Sequence, residues 1–227
     1  MILSAQRYQQ RDENNMIGFY SYTVILTYIG FVCGSVGLYF AANGSTNMAI
    51  IMLMLAGFCD MFDGKVAKTK KNRTPEECRF GIQIDSLSDM VCFGLLPPMI
   101  AFSAGLHKPI NIAVFCCFSL AALIRLAYFN VTEEERQQVT TERRKVYEGL
   151  PVTSVALIIP LLFAFRRDLE GMSSTAFPIT ATVVYAIVAC LFITRFTIKK
   201  PQMRAMLWFI VIGILELLLL IFKHRHS

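Results

Sequence analysis

Long apolar stretches, separated by short polar connections, follow one another along almost the whole chain. They cover residues 18–42, 46–66, 84–105, 110–130, 150–165, 176–196 and 203–222. Each approaches the ~20 residues that an α-helix needs to cross the hydrocarbon core of a bilayer. The pattern therefore predicts an all-α fold, a polytopic membrane helix bundle with six to seven transmembrane helices. The stretch 150–165 is the shortest, and without it the number is six.

We expect the chain to have three parts. A polar cytoplasmic N-terminal segment, residues 1–17, precedes a transmembrane domain, residues 18–222, and a short polar tail, residues 223–227, follows it. The N-terminal segment has charged residues between Arg7 and Glu13 and no apolar stretch. It therefore does not have the pattern of a secretory signal peptide.

Basic side chains are concentrated in alternate connections. The connections after the second, fourth and sixth apolar stretches contain Lys65, Lys68, Lys70, Lys71, Arg73 and Arg79, then Arg136, Arg143, Arg144 and Lys145, then Lys199, Lys200 and Arg204. Cytoplasmic connections of membrane proteins carry an excess of Lys and Arg, so these three connections and the N-terminus are expected in the cytoplasm. Arg166, Arg167 and the tail would then lie outside, and six spans would move the tail inside.

Composition narrows the classes of function. The 227 residues are 55% hydrophobic and 17% charged, with a formal net charge of +6, which is too apolar for an ordinary soluble domain. Because the basic residues lie between apolar stretches, anionic lipid headgroups and phosphate substrates are favoured as partners and nucleic acid is not. The seven cysteines form no C-x-x-C pair, so no zinc site is predicted.

Four aspartates lie near the ends of the second and third apolar stretches. Asp60 and Asp63 are three residues apart, and Asp85 and Asp89 are four apart, so each pair shares one face of a helix. A basic connection joins the two helices, which we expect to be antiparallel neighbours with all four carboxylates at the cytoplasmic end. Clustered carboxylates need a compensating positive charge, and hard divalent cations bind oxygen ligands. The spacing therefore favours a metal site over four unrelated residues at helix ends.

Two glycines accompany these aspartates. Gly64 follows Asp63 directly, and Gly81 lies four residues before Asp85. Glycine in a membrane helix permits close packing of a neighbouring helix. Beside the aspartates it would also leave space for a ligand, and the residues alone leave both interpretations open.

The whole segment resembles the signature of the CDP-alcohol phosphatidyltransferase family, which reads D-x-x-D-G-x-x-A-R followed by G-x-x-x-D-x-x-x-D. The matching positions are Asp60, Asp63, Gly64, Ala67, Lys68, Gly81, Asp85 and Asp89. The resemblance implies transfer of a phosphatidyl group from CDP-diacylglycerol to a small alcohol at the membrane surface. It also implies that the four aspartates surround Mg²⁺ or Mn²⁺, with Asp89 as the general base. Gly64, Ala67, Lys68 and Gly81 would then contact the nucleotide part of the substrate.

The chain departs from the signature in two ways. Lys68 stands where the signature has Arg, which keeps the charge and loses the bidentate fork. Residues 69–80 form a longer, polar and basic spacer, which predicts an enlarged cytoplasmic loop. The cation that contacts the nucleotide phosphates is left open among Lys68, Lys70, Lys71, Arg73 and Arg79.

Further segments, at 84–97, 123–130 and 147–152, resemble the members of the family that use serine as the acceptor. Arg125 lies within an apolar stretch, where a cation needs an anionic partner such as a substrate carboxylate, a phosphate or an aspartate. Alternatively its side chain extends to the interface. Thr27 matches weakly a polar motif that contacts the nucleotide, and the alternative is a bond to its own helix.

Other functions fit the sequence less well. Glycerol 3-phosphate or inositol phosphate could replace serine within the same family. An intramembrane prenyltransferase would typically have an aspartate where Ala67 stands, and a divalent-cation transporter would have acidic residues near the midplane of the bilayer. We therefore expect an integral protein of the cell membrane whose site faces the cytoplasm. Membrane lipid is its expected environment, and its oligomeric state, a homodimer included, is left open.

Overall fold

The computed structural model of the chain describes residues 18–67, 69–70, 72–139 and 146–199. The helices in these residues are α1 (Ile25–Ala42), α2 (Thr46–Ala67), α3 (Pro75–Asp89), α4 (Leu96–Ser103), α5 (Pro109–Val139), α6 (Val155–Ala164), α7 (Arg166–Met172) and α8 (Ala176–Ile193). A π-helical segment, Met90–Leu95, joins α3 to α4, and 3₁₀ turns at Tyr22–Val24 and Val152–Ser154 precede α1 and α6.

The structure confirms the helical membrane bundle. Within the described residues, four helical segments are long and apolar enough to cross a membrane: Tyr22–Ala42, Pro75–Ser103, Pro109–Arg136 and Ala176–Ile193. Helix α2 is 22 residues long, and Val152–Ala164 is a shorter apolar helix. The predicted stretch 203–222, the segment 1–17 and the tail 223–227 lie outside the described residues. The total number of spans and the division into three parts therefore stay predictions.

Among the described residues, one short β-ribbon accompanies the helices. Strands β1 (Val146–Glu148) and β2 (Thr197–Lys199) pair antiparallel, with Tyr147 opposite Ile198. Next to the ribbon, the backbone N–H of Gly149 donates to the carbonyl of Phe196 at 2.7 Å. These bonds hold the segment before α6 against the end of α8.

Helix α3 begins earlier than the apolar pattern predicts. Thr74 caps it: the Thr74 hydroxyl accepts from the N–H of Glu77 at 3.2 Å, and the Glu77 carboxylate accepts from the N–H of Thr74 at 3.3 Å. Pro75 occupies the first helical turn, where a missing N–H costs nothing. The prediction of a loop reaching residue 80 was therefore wrong, and Arg79 lies on a helix. The T-x-x-E sequence is a capping box, a local signal that outweighs the low hydrophobicity of the following turn.

The end of α3 is shaped by a change of helix type. The wider π-helical segment follows directly after Asp89. Pro98 has no backbone N–H, so it cannot donate to the carbonyl of Gly94. The hydroxyl of Ser119, on α5, donates to that carbonyl instead, at 2.8 Å. This bond gives the carbonyl of Gly94 a hydrogen-bond donor, and it joins α5 to the helix that positions Asp89.

The core between α5 and α8 is aromatic. Tyr185 of α8 is fully buried, and its ring centroid lies 5.2 Å from that of Phe115 and 5.3 Å from that of Phe118, both on α5. The Tyr185 hydroxyl donates to the carbonyl of Pro97 at 2.6 Å. An unpaired hydroxyl would be costly in this apolar interior. The contacts therefore fix α8 against both α5 and the start of α4.

Candidate metal and substrate site

The C-terminal half of α2 and the C-terminal half of α3 place all four aspartates in one cavity. One carboxylate oxygen from each of Asp60, Asp85 and Asp89 lies within 4.8 Å of the others. Asp63 lies in the same cavity. The cavity has a volume of about 10 Å³, which is room for about one water-sized sphere. Its described lining consists of Thr27, Gly30, Ala56, Asp60, Asp63, Asp85, Ser88, Asp89, Cys92 and Phe93.

The donor set fits a small divalent cation. All of the charged groups that line the cavity are carboxylates, and the described lining contains no Lys, Arg or His. Oxygen-only ligand sets suit hard cations such as Mg²⁺ and Mn²⁺, which are bound through a few carboxylates together with substrate oxygens. Like charges at this distance oppose one another unless a cation lies among them. The acidic cluster can therefore hold a metal ion, and the choice of ion stays a prediction.

Helix α1 positions one side of the acidic cluster. The buried hydroxyl of Thr27 donates to Asp63 Oδ2 at 3.2 Å. The hydroxyl of Ser88, one residue before Asp89, points to the backbone carbonyl of Thr27 at 3.5 Å. These contacts connect α1 to both aspartate helices. The structure uses the Thr27 hydroxyl to orient Asp63, and the predicted contact between Thr27 and the nucleotide stays a prediction.

The remaining signature residues differ in their surroundings. A Cβ atom built on Gly64 would meet no described atom within 4 Å, so close helix packing does not explain this glycine, and space for a ligand remains. Ala67 is the last residue of α2, and Lys68 lies outside the described residues. At Gly81 the neighbour is a cation, since a Cβ there would lie 2.7 Å from Arg73 Nη2.

Arg125, on α5, borders a second and larger cavity of about 210 Å³. Its Nη1 donates to the carbonyl of Phe192 and its Nη2 to the carbonyl of Gly149, both at 3.4 Å. Gly149 has a φ of +70°, and a Cβ there would lie 2.6 Å from Arg125 Nη1. Glycine is therefore required by its backbone conformation and by the carbonyl of Thr194, which would lie 2.9 Å from that Cβ.

The second cavity contains residues that the sequence did not single out. Arg195 lies in the wall, with its guanidinium carbon 5.3 Å from the centre of the Tyr128 ring. The described lining is Ile124, Arg125, Tyr128, Phe129, Thr132, Phe192, Ile193, Thr194 and Arg195. Arg195 lies at the end of the sixth apolar stretch. This position indicates a cation at the membrane interface, and it could have drawn attention to Arg195. Its pairing with Tyr128 depends on the contact of α8 with α5, which no local pattern indicates.

A hydrogen bond links the helix of the acidic cluster to the second cavity. The hydroxyl of Ser86, next to Asp85, donates to Asn130 Oδ1 at 2.7 Å. Asn130 lies on α5 between Phe129 and Thr132, two residues in the wall of the second cavity. This bond therefore fixes α3, which carries Asp85, against α5, which borders the second cavity.

Comparisons with known proteins identify relatives of this chain. The chain is similar to a CDP-diacylglycerol–serine O-phosphatidyltransferase of Saccharomyces cerevisiae, with 37% identity over 119 residues, 51% of this chain and 42% of the yeast protein. A Helicobacter pylori protein with the same description is 26% identical over 206 residues, 88% of this chain and 80% of that protein. An archaetidylserine synthase of Methanothermobacter thermautotrophicus is 30% identical over 149 residues, 65% of this chain and 60% of the archaeal one. The matched part of the chain thus spans less than half of the yeast relative.

The family model described as CDP-alcohol phosphatidyltransferase matches residues 22–194. This match includes helices α1 to α8, the whole described lining of the first cavity, and all of the described lining of the second cavity except Arg195. On this match the chain belongs to the CDP-alcohol phosphatidyltransferase family.

Proposed function

We propose that the protein transfers a phosphatidyl group from CDP-diacylglycerol to the hydroxyl of L-serine, giving phosphatidylserine and CMP. The observation that carries the proposal is the convergence of four aspartates at the ends of α2 and α3, three of them within reach of one ion. Family membership supports the donor, and the descriptions of the relatives support serine as the acceptor.

The acidic cluster would hold the metal and start the reaction. Asp60, Asp63, Asp85 and Asp89 are the proposed residues around Mg²⁺ or Mn²⁺. When bound, the ion neutralises the diphosphate of CDP-diacylglycerol and the charge on the departing CMP. Asp89 takes the proton of the serine hydroxyl while the serine oxygen bonds to the phosphorus of the phosphatidyl group and the bond to CMP breaks.

The remaining site residues would bind the two substrates. Gly64, Ala67, Lys68 and Gly81 are the proposed residues of the nucleotide-binding site, and Thr27 orients Asp63 within the acidic cluster. Arg125 is the proposed partner of the serine carboxylate, since a guanidinium can hold a carboxylate through two parallel hydrogen bonds. The bond from Ser86 to Asn130 joins the helix of Asp85 to the helix of Arg125.

Purified protein with CDP-diacylglycerol is expected to release CMP when serine is added, and mass spectrometry of the lipid product should show phosphatidylserine. Glycerol 3-phosphate, inositol and inositol phosphate are the competing acceptors in the same assay. Product with one of these and none with serine would end the serine proposal and keep the reaction class. No CMP with any acceptor would contradict the reaction class as well.

We further propose that the protein lies in the plasma membrane. Its acidic cluster would then face the cytoplasm. Asn72, in the loop before α3, and Ser45, in the loop between α1 and α2, are both exposed. An impermeant thiol reagent is expected to label Asn72→Cys only after the membrane is opened, and Ser45→Cys in intact cells. The parent protein gives the background from its own seven cysteines. The reverse pattern would place the site outside.

A further inference from the structure

Arg73 lies directly over the glycine that opens the second half of the aspartate motif. Its Nη2 atom would be 2.7 Å from a Cβ on Gly81, and the same atom donates to the carbonyl of Glu77 at 3.2 Å. A side chain at position 81 would occupy the place of the guanidinium. In this chain the missing side chain of Gly81 therefore makes room for a cation.

The guanidinium lies on the face of α3 that carries the acidic cluster. Gly81, Asp85 and Asp89 follow one another at intervals of four residues, so they form one row along the helix. Four residues advance a helix by about 6 Å. Arg73 is thus about one turn from Asp85, at the side of the cluster nearest the connecting loop.

Arg73 has hydrogen-bonding capacity that the described residues do not use. Its Nε atom is buried and has no hydrogen-bond partner in the described part of the chain. Other described cations of this region have partners: Lys70 Nζ lies 2.8 Å from Glu77 Oε1, and Arg79 Nε lies 3.5 Å from Glu134 Oε1. A buried donor without an acceptor is costly, and binding of an anion by the terminal nitrogens of the same guanidinium would offset that cost.

Described residues of the loop beside Arg73 make contacts with the helices. The hydroxyls of Tyr22 and Thr69 lie 3.1 Å apart, and the bond from Lys70 to Glu77 closes the loop onto α3. Arg73 also directly precedes Thr74, the cap of α3. The guanidinium is therefore pre-positioned, so ligand binding would cost little conformational entropy.

We propose that Arg73 binds the diphosphate of the CDP-activated lipid, with its two terminal nitrogens donating to phosphate oxygens. This inference rests on the proposed function, because it takes the donor substrate from it. A guanidinium donates two parallel hydrogen bonds to a phosphate, an arrangement that an ammonium group cannot supply. Arg73 lies in the spacer that is longer than the family signature, so it adds a cation to the one at position 68.

Binding of CDP-diacylglycerol in nanodiscs, measured by calorimetry with Mg²⁺ and without acceptor, tests the proposal. Arg73→Gln is expected to raise the Kd about 10- to 100-fold, the effect of losing hydrogen bonds to a charged group. The Kd of Arg73→Lys is expected to lie between that of the parent and that of Arg73→Gln. Arg136→Gln removes the same charge from an ion pair with Glu133 and should change the Kd less than threefold.

Gly81→Ala provides a second test that does not alter the cation. The new methyl group would displace the guanidinium. Gly81→Ala is therefore expected to raise the Kd when it is introduced into the parent protein, and to change the Kd little when it is introduced into the Arg73→Gln variant. Unchanged Kd values in Arg73→Gln and Gly81→Ala, or equal effects of Arg73→Gln and Arg136→Gln, would overturn the proposal. Because no acceptor is present, failure of the serine assay leaves this result standing. If the parent makes phosphatidylserine normally and Arg73→Gln binds CDP-diacylglycerol as tightly as the parent, the role of Arg73 is ruled out and the proposed function is not affected.

Discussion

Asn in place of Asp60 or Asp85 is expected to raise the Mg²⁺ or Mn²⁺ concentration needed for half-maximal activity by at least about tenfold. Loss of residues that merely support a metal ligand costs about 10–100-fold in affinity, and loss of a ligand should cost no less. Each of these two aspartates contributes one of the three carboxylate oxygens that lie within 4.8 Å of one another. Binding of Mn²⁺, followed by electron paramagnetic resonance without substrate, gives a readout that is separate from activity.

Two matched variants show whether the effect belongs to the cluster. Glu134→Gln removes a carboxylate that is paired with Arg79 outside it, and its metal requirement should equal that of the parent. Thr27→Val keeps all four aspartates and removes the hydroxyl that orients Asp63, so its metal requirement should rise less than in Asp60→Asn. Excess chelator should abolish activity in the parent, and added Mg²⁺ or Mn²⁺ should restore it. Full activity in chelator would contradict the metal site.

The sequence predicted the aspartate pairs because their spacing is local. Intervals of three and four residues place side chains on one face of any helix, so Asp60 with Asp63 and Asp85 with Asp89 needed no tertiary information. The hydrophobic pattern likewise predicted most helices, since the thickness of the bilayer fixes their length. The start of α3 at Thr74 was also readable, and it was missed because the hydrophobic pattern was given more weight than the capping box.

Contacts between distant helices were outside the reach of the sequence pattern. The bond from Thr27 to Asp63 joins residues 36 positions apart, and the bond from Ser86 to Asn130 joins residues 44 positions apart. Both depend on how the helices pack, which periodicity does not specify. The position of Arg73 over Gly81 depends in the same way on the path of a polar loop. The residues that could contribute to binding were therefore visible, and their partners were not.

Asn in place of Asp89 is expected to lower kcat by about 10²–10⁴-fold, the usual contribution of a positioned general base. Asn has nearly the same shape as Asp and cannot accept the proton of the serine hydroxyl. Asp89 is buried at the end of α3, where the helix and the π-helical segment hold its backbone in place. Steady-state kinetics with serine and CDP-diacylglycerol measure the change.

The roles of base and metal ligand separate in the binding data. If Asp89 is chiefly the base, Asp89→Asn should retain most of the Mn²⁺ affinity and most of the CDP-diacylglycerol affinity of the parent, whereas Asp85→Asn should lose Mn²⁺ affinity. Asp89 shares the oxygen group with Asp60 and Asp85, so geometry alone permits both roles. An equal loss of Mn²⁺ affinity in Asp89→Asn and Asp85→Asn, with activity restored by a higher metal concentration, would make Asp89 a ligand. The base would then have to be another group within hydrogen-bonding distance of the serine hydroxyl.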